Sequence, residues 1–403
     1  MGRNRLIRSL LVKNLLSFGR EERRIRLEPL NVLIGPNSAG KSNLIEVLGL
    51  LRATPKDLGV PIREGGGIVE WLWKGGEANP VATIEAEVYS AVGKQPLRYR
   101  LCLTRVGQRT ELVDEVVEDA DPRADAKDVY FYYRYQAGRP VLNVRAQSGE
   151  EPAMDGQRVQ RFLRREDLQP DQSVLSQRKD PDQYPELTYL GEQFDRIRLY
   201  REWNIGRRTD PRQPQPADAP GDFLMESASN LGLVLNDLEH RGDAGQVIRK
   251  YLRAFYDGFE DISVHVHGGT VQLFLRERGI GPIPATRLSD GTVRYLCLLS
   301  ILCHPSPPPL VCIEEPELGM HPDVLPTLAD LLADASLRTQ LVVTTHSDVL
   351  VSALSQNPNS VLVCEPDKSG TLLRRLDPET LASWLEKYSL GELWRMGELG
   401  GNP

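Results

Sequence analysis

LNVLIGPNSAGKSN, residues 30–43, decides the fold. Residues 30–34 are apolar apart from Asn31 and read as a buried strand. LIEVLGLLRA, residues 44–53, reads as a helix buried on most sides, and Pro55 ends it. Between them, Gly35, Pro36, Asn37, Ser38, Ala39, Gly40, Lys41 and Ser42 complete the pattern G-x-x-x-x-G-K-[ST] in the strand–loop–helix setting that gives it meaning. The glycines let the backbone wrap a phosphate and turn its N–H groups inward. The helix start adds partial positive charge. Lys41 then reaches β- and γ-phosphates, and the Ser42 hydroxyl ligates Mg²⁺. Asn43, next in the chain, completes the candidate nucleotide-binding segment.

Downstream, LVCIEEPE (residues 310–317) is an apolar strand ending in paired carboxylates. Successive strand residues point to opposite faces, so the two carboxylates have different tasks. Glu314 is the candidate Mg²⁺ acid, and Glu315 the candidate general base for an attacking water. RLSDGT (287–292) precedes the apolar run VRYLCLLSILC, which makes Ser289 an N-cap and places Asp290 and Gly291 at an anion-facing helix start. By itself such a feature is merely a cap. LVVTTHS (341–347) is a third apolar strand, ending at His346. A lone histidine is more often structural, but ligands of open α/β sheets gather at strand ends such as this one.

In this order the four motifs resemble the ATPase heads of the ABC class. More narrowly, they resemble the branch containing RecF, the SMC heads and the OLD-type ATPases, and within it compact AAA-type ATPases without a coiled coil or Toprim domain. LLVKNLLSFG (10–19) is similar to that branch's opening strand and LSDGT (288–292) to its LSGGQ signature. EEPELGMHP (314–322) is similar to its Walker B and D-loop, and TTHSDVL (344–350) to its switch-histidine loop. The resemblance spans residues 1–55 and 285–375. It implies an α/β P-loop NTPase fold with a large mixed α+β insertion between Walker A and the signature motif. The whole would be a single head: a P-loop portion over 1–55, an inserted β-rich and helical lobe over 56–284, a signature, Walker B and histidine portion over 285–375, and a C-terminal helix and tail over 376–403.

The same resemblance implies ATP and Mg²⁺ as cofactors, catalytic roles for Glu315 and His346, and metal roles for Ser42 and Glu314. It also implies a homodimer that sandwiches ATP, each P-loop completed by Ser289, Asp290 and Gly291 of the other copy. Two positions depart from the usual pattern: Glu314 stands where Asp is usual, and Asp290, with its added negative charge, where Gly is usual. Gln95 and Gln193 are the candidates for the Q-loop glutamine. The residues after His346 carry no acidic Toprim-like cluster, so nuclease activity within the chain is not expected. A signature before Walker B and a histidine after it do not suit ring-forming AAA+ remodelling enzymes.

Composition bounds the rest. The 403 residues are 40% hydrophobic and 26% charged, which excludes a wholly disordered chain. There is no apolar run of about 18 residues to form a membrane helix. The N-terminus lacks the apolar core and cleavage site of a signal peptide, and five scattered cysteines fit no disulfide framework. A cytoplasmic protein with no membrane partner is expected. The net charge of −7 gives no global attraction to nucleic acid. Residues 1–26 are locally basic, with eight Lys/Arg against Glu21 and Glu22. A solvated strand face accounts for this more simply than phosphate binding.

Along the chain, strands are expected at 6–13, within 81–146, at 261–267 and at 270–277, with turns near 17–23 and 138–140. Loops are expected at 60–67 and, as a Pro-rich linker, at 206–221. Helical pieces are expected within 150–205, and helices at 222–240, at 243–257 and in the amphipathic C-terminal stretch, with Trp384 and Trp394 packed on the core. Arg196, Arg198, Arg201, Arg207 and Arg208, interleaved with Tyr200 and Trp203, offer a candidate DNA contact. The expected role is an ATP-gated switch, either in DNA maintenance and repair or in a bacterial anti-phage defence module that holds a separately encoded effector. The alternative is a nucleotide-gated scaffold that holds an effector with little turnover.

Overall fold

The computed structural model describes residues 5–76, 79–92, 95–123, 128–136, 139–145 and 158–401. The chain divides into two compact units. The first comprises Met1–Glu28, Pro36–Ile197 and Cys364–Arg374; the second comprises Pro29–Gly35, Arg198–Val363 and Arg375–Pro403.

The first unit is built on an eight-stranded sheet. Its order is Arg23–Arg26, Ile7–Lys13, Ala82–Val88, Leu97–Val106, Arg109–Asp119, Phe131–Gln136, Arg139–Arg145 and Arg158–Phe162, with every neighbouring pair antiparallel. Alternating apolar and polar residues set the pattern: in Leu97–Val106, Leu97, Tyr99, Leu101 and Leu103 are buried while Arg98 and Arg100 are half-exposed. The basic N-terminal strands spend their cations on neighbours. Arg24 pairs with Glu85 and Glu87, Lys13 with Glu22 and Arg5 with Glu28. Met1 to Asn4, and Gly138 of the expected turn at 138–140, lie outside the described residues. The P-loop helix Lys41–Ala53 belongs to this unit and buries Leu44, Ile45, Val47, Leu48, Leu50 and Leu51.

The second unit carries a mainly parallel sheet. Its strands run Arg198–Tyr200, Leu310–Glu314, Gln340–Thr344, Leu30–Ile34 and the start of Val361–Asp367, whose later residues and most of Gly370–Arg375 belong to the first unit. All four pairings among the first five are parallel. Such strands are covered on both faces and need uninterrupted apolar sequence. Leu30–Ile34 and Gln340–Thr344 are indeed buried at every residue. The strand leading to His346 therefore lies between the P-loop strand and the Walker B strand. Helices Asp290–Leu302 and Leu325–Ser336 contribute to one continuous apolar core. A second sheet pairs Thr270–Glu277 with Gln215–Pro216, Phe259–His267 and Gly281–Pro284.

Several local expectations are corrected. Residues 206–221 are not a free linker: they hold a 3₁₀ turn Asp210–Arg212 and a strand Gln215–Pro216, and they bury Pro211, Arg212 and Gln215. The prolines break helix here, but a single long guanidinium ties the segment down. The loop over 60–67 begins inside a short helix, Gly59–Glu64, and the helix expected from 222 begins only at Leu231. Between 150 and 205 there is also a strand, Arg158–Phe162, beside helix Pro185–Asp195. The C-terminal stretch forms two helices, Pro378–Leu385 and Leu390–Arg395. Trp394 is fully buried, whereas Trp384 is 41% exposed, so only one of the two indoles packs in the core. None of the five cysteines is in a disulfide and all are buried, and burial pushes the Cys297, Cys303 and Cys364 thiols up to about 12.

Candidate functional site

The P-loop leaves the sheet at Gly35 and turns through three residues with positive φ: Gly35 at 146°, Ser38 at 65° and Gly40 at 98°. At position 40 only glycine fits. A Cβ there would fall 2.2 Å from Thr371 Oγ1 and 2.6 Å from Ser17 Oγ. These two side chains brace the loop: Thr371 Oγ1 bonds Ser17 Oγ at 2.7 Å and the Ala39 carbonyl at 3.1 Å. Lys41 is 7% exposed, and its Nζ donates to the Pro36 carbonyl at 2.9 Å, which folds the ammonium over the loop. No side chain caps the start of the 13-residue helix, so its first N–H groups face outward as anion donors. Asn37, Ser38 and Ser42 are exposed, and Asn43 is half-buried.

In the second unit three parallel strands end side by side. Thr344 is in register with Leu33 on one side and with Glu314 on the other, and the Thr345 N–H donates to the Leu33 carbonyl at 3.1 Å. The entry to the P-loop, the carboxylate pair and the histidine loop thus share one sheet edge. Glu314 accepts from Arg201 Nε at 3.2 Å, and Trp203 Nε1 donates to its carbonyl at 3.0 Å. Two of the seven basic and aromatic positions weighed for DNA, Arg201 and Trp203, are thereby committed to the Walker B strand. Glu315 is not part of the strand's alternation. Its φ of 46° is left-handed, and this twist, rather than the pleat, separates the two carboxylates. Its N–H donates to the Thr344 carbonyl at 3.0 Å, and its carbonyl accepts from the Arg294 guanidinium at 3.3 Å.

Glu315 Oε1 lies 3.7 Å from His346 Nε2. Glu317 fixes the histidine loop from beneath: its Oε1 accepts from Thr345 Oγ1 at 2.6 Å and from the His346 N–H at 2.9 Å. Its other oxygen is buried with no hydrogen-bond partner. Arg294, 8% exposed, has its pKa lowered by burial, with Glu317 and Glu315 among the groups opposing the shift. It lies over the Trp203 ring at 5.4 Å.

Ser289 caps helix Asp290–Leu302, its Oγ accepting from the Thr292 N–H at 3.1 Å. The added charge of Asp290 is met by Arg212, which is 1% exposed and also donates to the carbonyls of Ile205 (2.7 Å), Ala285 (3.0 Å) and Leu288 (2.5 Å). Gly291 is required for a different reason than phosphate approach. A Cβ there would meet the Gly319 carbonyl oxygen at 2.4 Å, so the signature helix rests directly on the loop after Glu317.

Within this unit the structure brings together Glu314, Glu315 and His346, together with Glu317, Thr345, Arg201 and Arg294. Arg201, a candidate DNA contact by its sequence, bonds Glu314 instead, and Arg294 is one charge in an apolar helix with no motif around it. Of the Q-loop candidates, Gln95 donates to the Asp121 carbonyl within the antiparallel sheet, and Gln193 is half-buried on helix Pro185–Asp195.

Ser42 in the first unit and Glu314 in the second each offer a hard oxygen ligand of the kind Mg²⁺ takes, its shell characteristically holding one or two protein ligands with phosphate and water completing it. Among the described residues no cluster of three or more His, Cys, Asp or Glu forms an all-protein metal cage. Also among the described residues, no helix is long and apolar enough to cross a membrane.

Residues 30–352 match the family described as AAA domain, putative AbiEii toxin, type IV TA system. Among solved structures, the chain is similar to an SMC head bound to the C-terminal winged-helix domain of ScpA. The TM-score is 0.58 and the identity 12%, over 93% of this chain and 99% of that one. It is also similar to an Smc head domain with an extended coiled coil bound to the C-terminal domain of ScpA derived from Pyrococcus furiosus, with TM-score 0.59 and 11% identity over 95% and 99% of the two chains. At such identities the likeness is one of fold, and the fold is the ABC/SMC-head P-loop architecture. No curated protein matches the chain.

Proposed function

This chain belongs to the AAA-domain family of putative AbiEii toxins of type IV toxin–antitoxin systems, and on that premise we propose that it is a Mg²⁺-dependent ATP hydrolase working as an ATP-gated homodimeric switch. One observation carries the proposal: the strand entering the P-loop, the strand ending in Glu314 and the strand ending before His346 are consecutive in one parallel sheet. Ligands of such sheets gather at these carboxyl ends.

Lys41 and the uncapped N–H groups of its helix hold the triphosphate. Ser42 and Glu314 would each offer the metal an oxygen ligand, and the ion would supply positive charge against the triphosphate. Arg201 now occupies one Glu314 oxygen and gives way or shares it as the site fills. Glu315 aligns the attacking water and accepts its proton. His346, 3.7 Å from Glu315 and pinned through its own N–H by Glu317, serves the same transferring group. Ser289, Asp290 and Gly291 complete the site of a second copy. Closing the pair on ATP and opening it on hydrolysis makes the nucleotide a conformational switch.

The switch acts on a separately encoded effector in a cytoplasmic defence module, the role that agrees with the family's description. A DNA-maintenance role has less to stand on, because Arg201 is engaged by Glu314, while Arg207 and Arg208 remain exposed. Salt-dependent, ATP-stimulated DNA binding would restore it. A scaffold with little turnover is separated from both by its rate.

The test is Glu315→Gln. Nucleotide binding persists, hydrolysis falls about 10²-fold or more, and gel filtration with ATP and Mg²⁺ shows a stable dimer. Lys41→Ala loses binding altogether. Wild-type turnover in Glu315→Gln would remove Glu315 as the base, and unchanged binding in Lys41→Ala would remove the nucleotide site.

A further inference from the structure

The first unit contains a cleft of about 530 Å³ that none of the steps above uses. It falls within the ~300–1,000 Å³ range of small-molecule sites. Ser38 and Asn43 of the P-loop line it, together with Ser17, Thr371, Trp73 and Lys74. The wall is fixed to the phosphate loop, since Thr371 bonds both Ser17 and the Ala39 carbonyl. Its charges are spoken for: Lys74 pairs with Glu70, and Asp367 accepts from Arg23 and Ser369. A cleft so lined attracts no second phosphate. It suits a flat, neutral group attached to a phosphate chain already held by the loop.

Trp73 is built for such a group. Its backbone N–H is tied to the Asn14 carbonyl at 3.0 Å. The six-membered ring lies against three glycines. Cβ atoms at Gly19, Gly75 and Gly76 would fall 3.1, 2.4 and 2.9 Å from ring atoms, so side chains at these positions would push the indole out of place. Unlike Trp71 and Trp394, which are 4% and 0% exposed, Trp73 stays half-buried and lines the cleft. A rigid indole presented to an open cleft is a stacking surface.

We propose that this cleft seats the base and sugar of the nucleotide, with the Trp73 indole stacked on the base. The assignment rests on the P-loop as a triphosphate site and deepens it. Stacking uses the π-face that every base has, so discrimination between bases is weak and GTP binds within several-fold of ATP.

The experiment compares ATP, GTP and inorganic tripolyphosphate by calorimetric titration on the full chain. Base stacking of ordinary strength corresponds to a loss of roughly 5- to 150-fold. Trp73→Ala weakens ATP and GTP by that factor and leaves tripolyphosphate unchanged; Trp73→Phe recovers most of the affinity. ATP quenches tryptophan emission in the wild type, and the quench disappears in Trp73→Phe although binding persists. Lys41→Ala loses all three ligands. If Trp73→Ala binds ATP as the wild type does, or weakens tripolyphosphate equally, or if the quench survives in Trp73→Phe, the stacking assignment is overturned while the P-loop assignment stands. If Lys41→Ala retains all three ligands, the P-loop assignment is the one that fails.

Discussion

Replacing Arg212 by Met keeps an unbranched apolar stem and removes every bond its guanidinium makes. Three carbonyls, of Ile205, Ala285 and Leu288, lose their donor, and Asp290 loses its counter-charge. Each buried acceptor left unpaired costs about 1–3 kcal/mol, less where the loop can turn toward water. Three such carbonyls at the low end of that range set an expected loss of about 3 kcal/mol, with no stranded buried charge to add, because Asp290 faces solvent. Asp290→Asn isolates the electrostatic part. That carboxylate is 68% exposed, so screening holds its share to about 1 kcal/mol or less. Arg212 is therefore retained chiefly for the carbonyls that shape the turn before Ser289, with neutralisation of Asp290 secondary. Urea unfolding of the wild type and both variants, followed by tryptophan emission, gives the comparison. If Asp290→Asn costs as much as Arg212→Met, or if Arg212→Met costs under ~1 kcal/mol, the guanidinium does not organise this loop.

Two further outcomes follow from buried contacts. Glu115 is 2% exposed, and burial raises its carboxyl to about 7 against hydrogen bonds from Ser173, the Val174 N–H and Tyr99. A carboxyl raised on folding gives stability that is complete below its unfolded value and lost as pH climbs through the folded one, so the melting temperature should fall between about pH 5 and pH 8. Glu115→Gln should flatten that decline by up to roughly 3 kcal/mol, and parallel curves would contradict it. Gly291→Ala, whose new methyl meets the Gly319 carbonyl, should cost about 1–3 kcal/mol by overpacking and displace the loop after Glu317. A variant with unaltered melting and turnover would show that the helix and loop are not in register.

What could be read from the residues was local and periodic. The P-loop strand and helix announce themselves because an apolar run, a glycine loop and a second apolar run leave the chain few alternatives. The Walker B strand is equally plain, as four buried apolar residues followed by carboxylates. The left-handed turn at Glu315 is not legible, because Glu has no preference for it and only the surrounding loop holds it there. The neutralisation of Asp290 depends on Arg212, 78 residues away along the chain and inside a Pro-rich stretch whose composition suggests solvent. The edge strand Arg198–Tyr200 has three residues, too few for a pattern, and exists only because Leu310–Glu314 offers it a ladder. Trp73 reads as one more apolar residue in WLWKGG. The glycines that follow make it a fixed surface, and their importance shows only in what a Cβ would strike.

The parallel sheet has a temporal consequence. Leu30–Ile34 leaves the ribosome before either of its ladder neighbours, since Gln340–Thr344 and Val361–Asp367 are encoded about 300 residues later. At roughly 5–20 residues per second the strand waits about 15 to 60 s for them. During that interval the antiparallel meander, whose neighbours are largely consecutive in the chain, has everything its ladders need. The strand that will present the phosphate loop is thus synthesised long before the strands that give it a place. Its five residues, buried in the finished sheet and four of them apolar, need a chaperone's cover until then.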